Sequence, residues 1–210
     1  MKVILRAVEF VVLFFGVTGV FIAAEVPGGP IPVLLVAAAG AGLYLRRARG
    51  FDRRTFGRPE ALRRALPSVL LLWLTVSVFA LGVIAVVDRA HLFDLPRERP
   101  WLWLAVLVFY PLASVYPQEL LFRAFLLHRY AAVFKGERVA AAASAVAFSF
   151  VHLLFGNVLA VAATLAGGWL FARRYQATRS LLVVSVEHAL YGATIFTIGL
   201  GRFFYHAGNF

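Results

Sequence analysis

Five ionisable residues interrupt stretches that are otherwise apolar: Glu119, Arg123, His152, Glu187 and His188. Glu119 and Arg123 are four residues apart, so on a helix they share a face and can pair. A carboxylate held by a guanidinium in apolar surroundings is a candidate base. Two histidines nearby are candidate donors to an oxyanion or a leaving group. In this reading Gln118 orients water through its amide, and Glu187, next to His188, is a second carboxylate within reach. Phe122, Phe148, Asn157 and Tyr191 flank these groups and are the candidate substrate contacts. The chemistry implied is hydrolysis of an amide. His152, His188 and Glu119 with one water would also make a recognised catalytic zinc set, although no HExxH helix is present. The cofactor reading therefore stays open between none and zinc. Each residue also has a structural reading. Glu119–Arg123 locks a helix, a buried histidine is a satisfied core residue, Glu187 sets the charge of His188, and Asn157 and Ser149 bond to backbone.

Composition favours convergence. Hydrophobic residues make up 62% and charged residues 15%, against roughly 45–50% and about 25% in soluble domains. Mean hydropathy is +0.84. The solvent for most of the chain is lipid, where a central charge costs at least ~2.5–3.5 kcal/mol. Five such groups are tolerable if they face inward and meet. The absence of cysteine excludes a disulfide framework, a thiol nucleophile and Cys-based metal sites. The net charge of +11 comes from 21 basic residues, mostly arginines in short loops. This distribution reads as a topology signal and an affinity for anionic lipid headgroups, not for nucleic acid.

Seven stretches approach the ~20 apolar residues that a spanning helix needs: 3–24, 31–45, 66–87, 101–127, 139–155, 158–172 and 181–200. None alternates in polarity as a barrel strand must. The expectation is an all-α, multi-pass transmembrane helical bundle of about seven spans. The second and sixth stretches are short. The first, with Lys2 and Arg6 at its start, is read as an uncleaved anchor, not a cleaved signal peptide. Glu9 within it either snorkels or marks a later helix start. The fourth is overlong and contains Pro111 and Pro117, so it is expected to kink, one half ending near Tyr116 and a second helix beginning near Pro117. With the N-terminus inside, 16 basic residues fall on inner segments and four on outer ones. This bias orients the N-terminus to the cytoplasm and the C-terminus outside, in a plasma (inner) membrane. The uncharged turn Pro27-Gly28-Gly29-Pro30 suits an outer hairpin, and Trp101 and Trp103 suit the outer interface. Residues 1–100 form a hairpin and third span with a basic cytoplasmic loop; residues 101–210 form the core that carries the chemistry. At ~1.5 Å per residue, Glu119 lies roughly 14 Å from the boundary near His128 and His188 roughly 12 Å from Ser180. His152 comes out deeper, about 20 Å from Val139.

The motifs resemble those of the CPBP family (CAAX proteases and bacteriocin-processing enzymes, also called Abi). Gln118-Glu119-Leu120-Leu121-Phe122-Arg123 resembles the EExxxR motif, and Phe148-Ser149-Phe150-Val151-His152 matches FxxxH. His188 resembles the third motif, a histidine usually followed four residues later by Asn; here Gly192 stands in that place. The resemblance covers about residues 101–200. It implies an intramembrane endopeptidase acting on a membrane protein or a lipid-modified peptide, with Glu119, Arg123, His152 and His188 at active-site positions. Gln118 replaces the first Glu of the pair, generally assigned to water activation. Glu119 is then the base by this reading, with Glu187 as a substitute carboxylate. Two other functions fit the same residues: a pseudoprotease of immunity type that binds a membrane peptide without cutting it, and a proton-coupled transporter. The transporter is disfavoured by the lack of repeated halves.

Overall fold

A backbone in hydrocarbon must satisfy its own hydrogen bonds, and among the described residues every regular element is a helix. The computed structural model describes residues 1–24 and 29–204. Pro27 and Gly28 of the expected hairpin turn, and the end of the chain beyond residue 204, the expected outer C-terminus, lie outside the described residues. The helices are α1 (Lys2–Ala23), α2 (Ile31–Arg47), α3 (Pro59–Val87), α4 (Asp94–Glu98), α5 (Pro100–Arg129), α6 (Glu137–Val151), α7 (Val158–Thr178) and α8 (Leu181–Ile198). A 3-10 turn, His152–Phe155, continues α6. The protein is an all-α membrane helical bundle.

Among the described residues five helices, rather than seven, are long and apolar enough to cross a membrane: α1, α3, α5, α6 with its turn, and α8. The other two expected spans form helices with weaker credentials. Helix α2 has 17 residues, about 25 Å at the standard rise. Helix α7 has eight alanines and glycines among its 21 residues and carries Arg173, Arg174 and Gln176 in its last two turns.

The overlong fourth stretch does not break at its prolines. It runs as one helix with two π turns, Pro111–Val115 and Leu120–Phe125. A π turn re-spaces the carbonyls, which accommodates a proline that cannot donate and would otherwise clash with the preceding turn. A third π turn, Val12–Gly16, lies in α1.

Small residues bring α6 and α7 close. A Cβ on Gly168 would lie 3.0 Å from the Ala145 Cα, the backbone approach that small residues permit in membranes. An aromatic cluster of Phe10, Phe14, Phe122, Tyr130 and Phe148 joins α1 to α5 and α6. At one end of the bundle the basic segments meet: Arg129 binds Glu9 through both carboxylate oxygens (2.9 and 2.7 Å), Phe51 packs on His128, and Arg173 reaches Glu137. Glu9 is therefore neither snorkelling nor a helix start; α1 begins at Lys2 and Glu9 is paired. At the other end Asp88 holds Arg202 and His91. Trp101 is exposed, whereas Trp103 turns toward the bundle and donates to Thr197 (3.0 Å).

Gly199 closes α8 at φ +98°, and a Cβ there would fall 2.0 Å from the carbonyl oxygen of His91. Both the left-handed backbone and the lack of space require glycine. Gly199→Ala should lower stability by about 1–3 kcal/mol, read as an earlier unfolding midpoint in detergent. An unchanged midpoint would mean that this contact is not held in solution.

Candidate active site

The motif helices converge. On α5, Glu119 and Arg123 are both fully buried, and Arg123 Nε donates to Glu119 Oε2 at 3.0 Å. Arg123 Nη1 donates to Ser144 on α6 (2.5 Å), whose hydroxyl donates to the Phe122 carbonyl (2.7 Å). The guanidinium also sits 4.8 Å from the centroid of Phe148, a favourable cation–π distance. A buried ion pair is tolerable only when it is hydrogen-bonded on all sides that matter; here one nitrogen, Nη2, has no partner among the described residues.

The second oxygen of Glu119 reaches α8. His188 Nδ1 lies 2.8 Å from Glu119 Oε1. A carboxylate accepts, so Nδ1 carries the proton. The ring stacks on Phe171 of α7 at 4.7 Å and 18° and meets the edge of Phe148 at 5.7 Å. Its other nitrogen, Nε2, lies 3.2 Å from the hydroxyl of Tyr110.

His152 joins from the end of α6. Its Nδ1 lies 2.6 Å from the Phe148 carbonyl, one turn back along its own helix, and its ring packs on Phe148 at 4.6 Å. Helical side chains lean toward the N-terminus, so the ring sits shallower than its Cα. This closes much of the depth gap expected from residue counting. Nδ1 is committed to a carbonyl, and Nε2 has no hydrogen-bond partner among the described residues. Gln118 donates to Ser114 (2.6 Å), while its buried carbonyl oxygen is unpartnered.

These groups border one chamber of about 1660 Å³, larger than the ~300–1,000 Å³ of common ligand pockets. Tyr110, Gln118, Phe122, Phe148, His152, His188 and Tyr191 line it, and the paired Glu9 and Arg129 line it too. Glu119 and Arg123 lie behind its wall. Both Glu119 oxygens are occupied, by Arg123 and His188. Its geometry is that of a group orienting His188, not of a base in contact with water.

Two expected members stand elsewhere. Glu187 is next to His188 in sequence but about 100° around the helix. It is fully buried against Arg174, which donates to both its oxygens at 2.9 and 3.0 Å and to Ser68 at 3.0 Å. It does not line the chamber and cannot stand in for the missing motif carboxylate. Arg174 is correspondingly a bundle residue, not a loop charge. Asn157 caps α7: its oxygen accepts from Ala160 N (2.8 Å) and its amide donates to the carbonyls of Phe155 and Phe203. Its capacity is spent on backbone. Glu187→Gln should therefore leave any cleavage rate near wild type while costing about 1–3 kcal/mol of stability, because Arg174 loses its partner. A collapse of the rate with no change in the unfolding midpoint would reverse this assignment.

Zinc does not fit. Among the described residues no group of three or more His, Asp or Glu side chains is placed to hold a metal. Both His188 nitrogens and both Glu119 oxygens have partners, and a guanidinium next to the carboxylate repels a cation.

Tyr110 was invisible to sequence reasoning. It lies nine residues before Glu119, half a turn out of phase on an ideal helix at 3.6 residues per turn. The π turn Pro111–Val115 between them slackens the winding and swings Tyr110 toward the same side. Pro111 was the available signal for that irregularity.

No curated protein and no solved structure matches the chain. Residues 97–194 match the family described as type II CAAX prenyl endopeptidase Rce1-like. All three motifs lie within that stretch and their residues meet at one chamber, and so this part of the chain is similar to the CAAX-type intramembrane endopeptidases of the CPBP family.

Proposed function

We propose that the protein hydrolyses a peptide bond in a membrane-associated or lipid-modified protein, using a water held in the chamber between α5, α6 and α8. The observation that carries this reading is His188, held from behind by Glu119, lining the same apolar chamber as His152 and Gln118. His152 Nε2 is the base: with Nδ1–H tied to a carbonyl, its free lone pair takes a proton from water. Gln118, on the chamber wall, orients the water. The hydroxide adds to the scissile carbonyl carbon, and the oxyanion forms at the His188 edge of the chamber, where the Tyr110 O–H can turn to it. As the C–N bond breaks, His152 returns its proton to the leaving nitrogen, which gives a carboxylate and an amine. Glu119 holds the His188 tautomer, and Arg123 holds Glu119 in place. In this proposal the protein sits in the plasma membrane with its N-terminus and arginine-rich ends on the cytoplasmic side, against anionic headgroups.

A second reading has one observation in its favour: Gln118 stands where the family motif has glutamate, and the remaining motif carboxylate is walled off from the chamber. The chamber would then bind a membrane peptide without cutting it. Purified protein in liposomes, given an internally quenched peptide with a prenylated C-terminal cysteine box, separates the two. New fragments by mass spectrometry, which disappear in His152→Ala, support the peptidase. Saturable binding with an intact peptide supports the binding module.

A further inference from the structure

The motif position four residues after His188 is Gly192, and the space beside it is not empty. A Cβ built on Gly192 would lie 2.3 Å from Tyr110 Cε1 and 2.7 Å from its hydroxyl oxygen. Tyr110 comes from a different helix, α5, and occupies the volume that a residue-192 side chain would fill. Its ring is set edge-on to His188 (6.1 Å) and to Phe196 (5.4 Å). Its hydroxyl lies 3.2 Å from His188 Nε2, and Tyr110, His188 and Gly192 all border the chamber.

We infer that Tyr110 is the positioning residue for His188 and that Gly192 is the gap that admits it. The two form an exchanged pair: the polar group usually offered from the histidine's own helix is offered here from α5. Glu119 accepts from Nδ1–H, so Nε2 carries a lone pair and the phenol O–H donates to it. His188 is thereby fixed at both nitrogens, with Phe171 stacked on its face. The pairing is strict, because any side chain at 192 displaces the phenol. For the reaction, this deepens the peptidase reading and rests on it: the phenol borders the chamber, and its single O–H, held at Nε2 in the resting site, turns to the substrate carbonyl oxygen as that oxygen gains charge. The π turn Pro111–Val115 is the device that delivers it.

The test uses the full chain in lipid nanodiscs with ¹⁵N-labelled histidine, the His188 resonances being assigned by their loss in His188→Gln. Tyr110→Phe should move the Nε2 resonance and leave Nδ1 in place. Gly192→Ala should reproduce that shift by expelling the ring. Cleavage of the quenched prenylated peptide should fall on the order of 10²-fold in kcat with KM nearly constant in Tyr110→Phe. The double variant Tyr110→Ala/Gly192→Asn, which restores a polar side chain on α8, should recover cleavage relative to Tyr110→Ala. A wild type that cleaves, with Nε2 unmoved and kcat unchanged in Tyr110→Phe, overturns the assignment of Tyr110. A wild type that cleaves nothing, with Nε2 moving as expected in both variants, removes the peptidase reading and keeps Tyr110 as the partner of His188.

Discussion

Replacing Glu119 by Gln should cut cleavage by roughly 10⁴-fold and destabilise the bundle together. The guanidinium of Arg123 is fully buried and its carboxylate partner is Glu119. Removing that charge strands a cation in an apolar interior, a change that costs about 3–5 kcal/mol for buried pairs. The same substitution also reaches His188. A carboxylate accepts from Nδ1–H only, whereas an amide can turn its NH₂ to Nδ1 and favour the opposite tautomer. A comparable change at a buried carboxylate–histidine contact costs ~10⁴ in rate. The double variant Glu119→Gln/Arg123→Met removes both charges. It should recover most of the unfolding midpoint and none of the activity. If stability and rate return together, Glu119 acts only as the counter-ion of Arg123.

His152→Ala should cut cleavage by about 10²–10⁴-fold with a small effect on folding, since the ring borders a chamber that is already open. The pair of observations behind this is specific: Nδ1 is spent on the Phe148 carbonyl, and Nε2 is free among the described residues. Adding Gln118→Glu to that variant places a carboxylate on the chamber wall, at the position the family motif assigns to water activation. An increase of roughly tenfold or more over His152→Ala alone is expected from a second base. Wild-type cleavage by His152→Ala would remove His152 from the reaction.

The convergence of charges was legible because lipid makes scattered charges expensive. Depth counting put Glu119 and His188 at one level, and their side chains meet at 2.8 Å. What the sequence left hidden is local. Side-chain azimuth separates neighbours: Glu187 and His188 are adjacent in sequence, yet one faces Arg174 and the other the chamber. Proline marked the fourth stretch as irregular but not the form of the irregularity, and only the π turn brings Tyr110 to the site. A tyrosine inside an apolar run has no sequence feature that distinguishes it from a packing residue. The pairing of Glu9 with Arg129 spans 120 positions and carries no short-range signal. The zinc set looked plausible because residue types are read without their hydrogen bonds. Once both Glu119 oxygens and both His188 nitrogens are engaged, that set is no longer available.

The central claim is that Glu119 and His188, on different helices, act as one unit at the chamber. The most direct measurement is the cleavage rate in a double-mutant cycle of Glu119→Gln and His188→Ala, with folded protein verified for each variant. Groups that act as one unit are strongly non-additive. The double variant should therefore lose no more than the more damaging single variant. Losses that simply add, or a wild type with no cleavage to lose, would contradict the account.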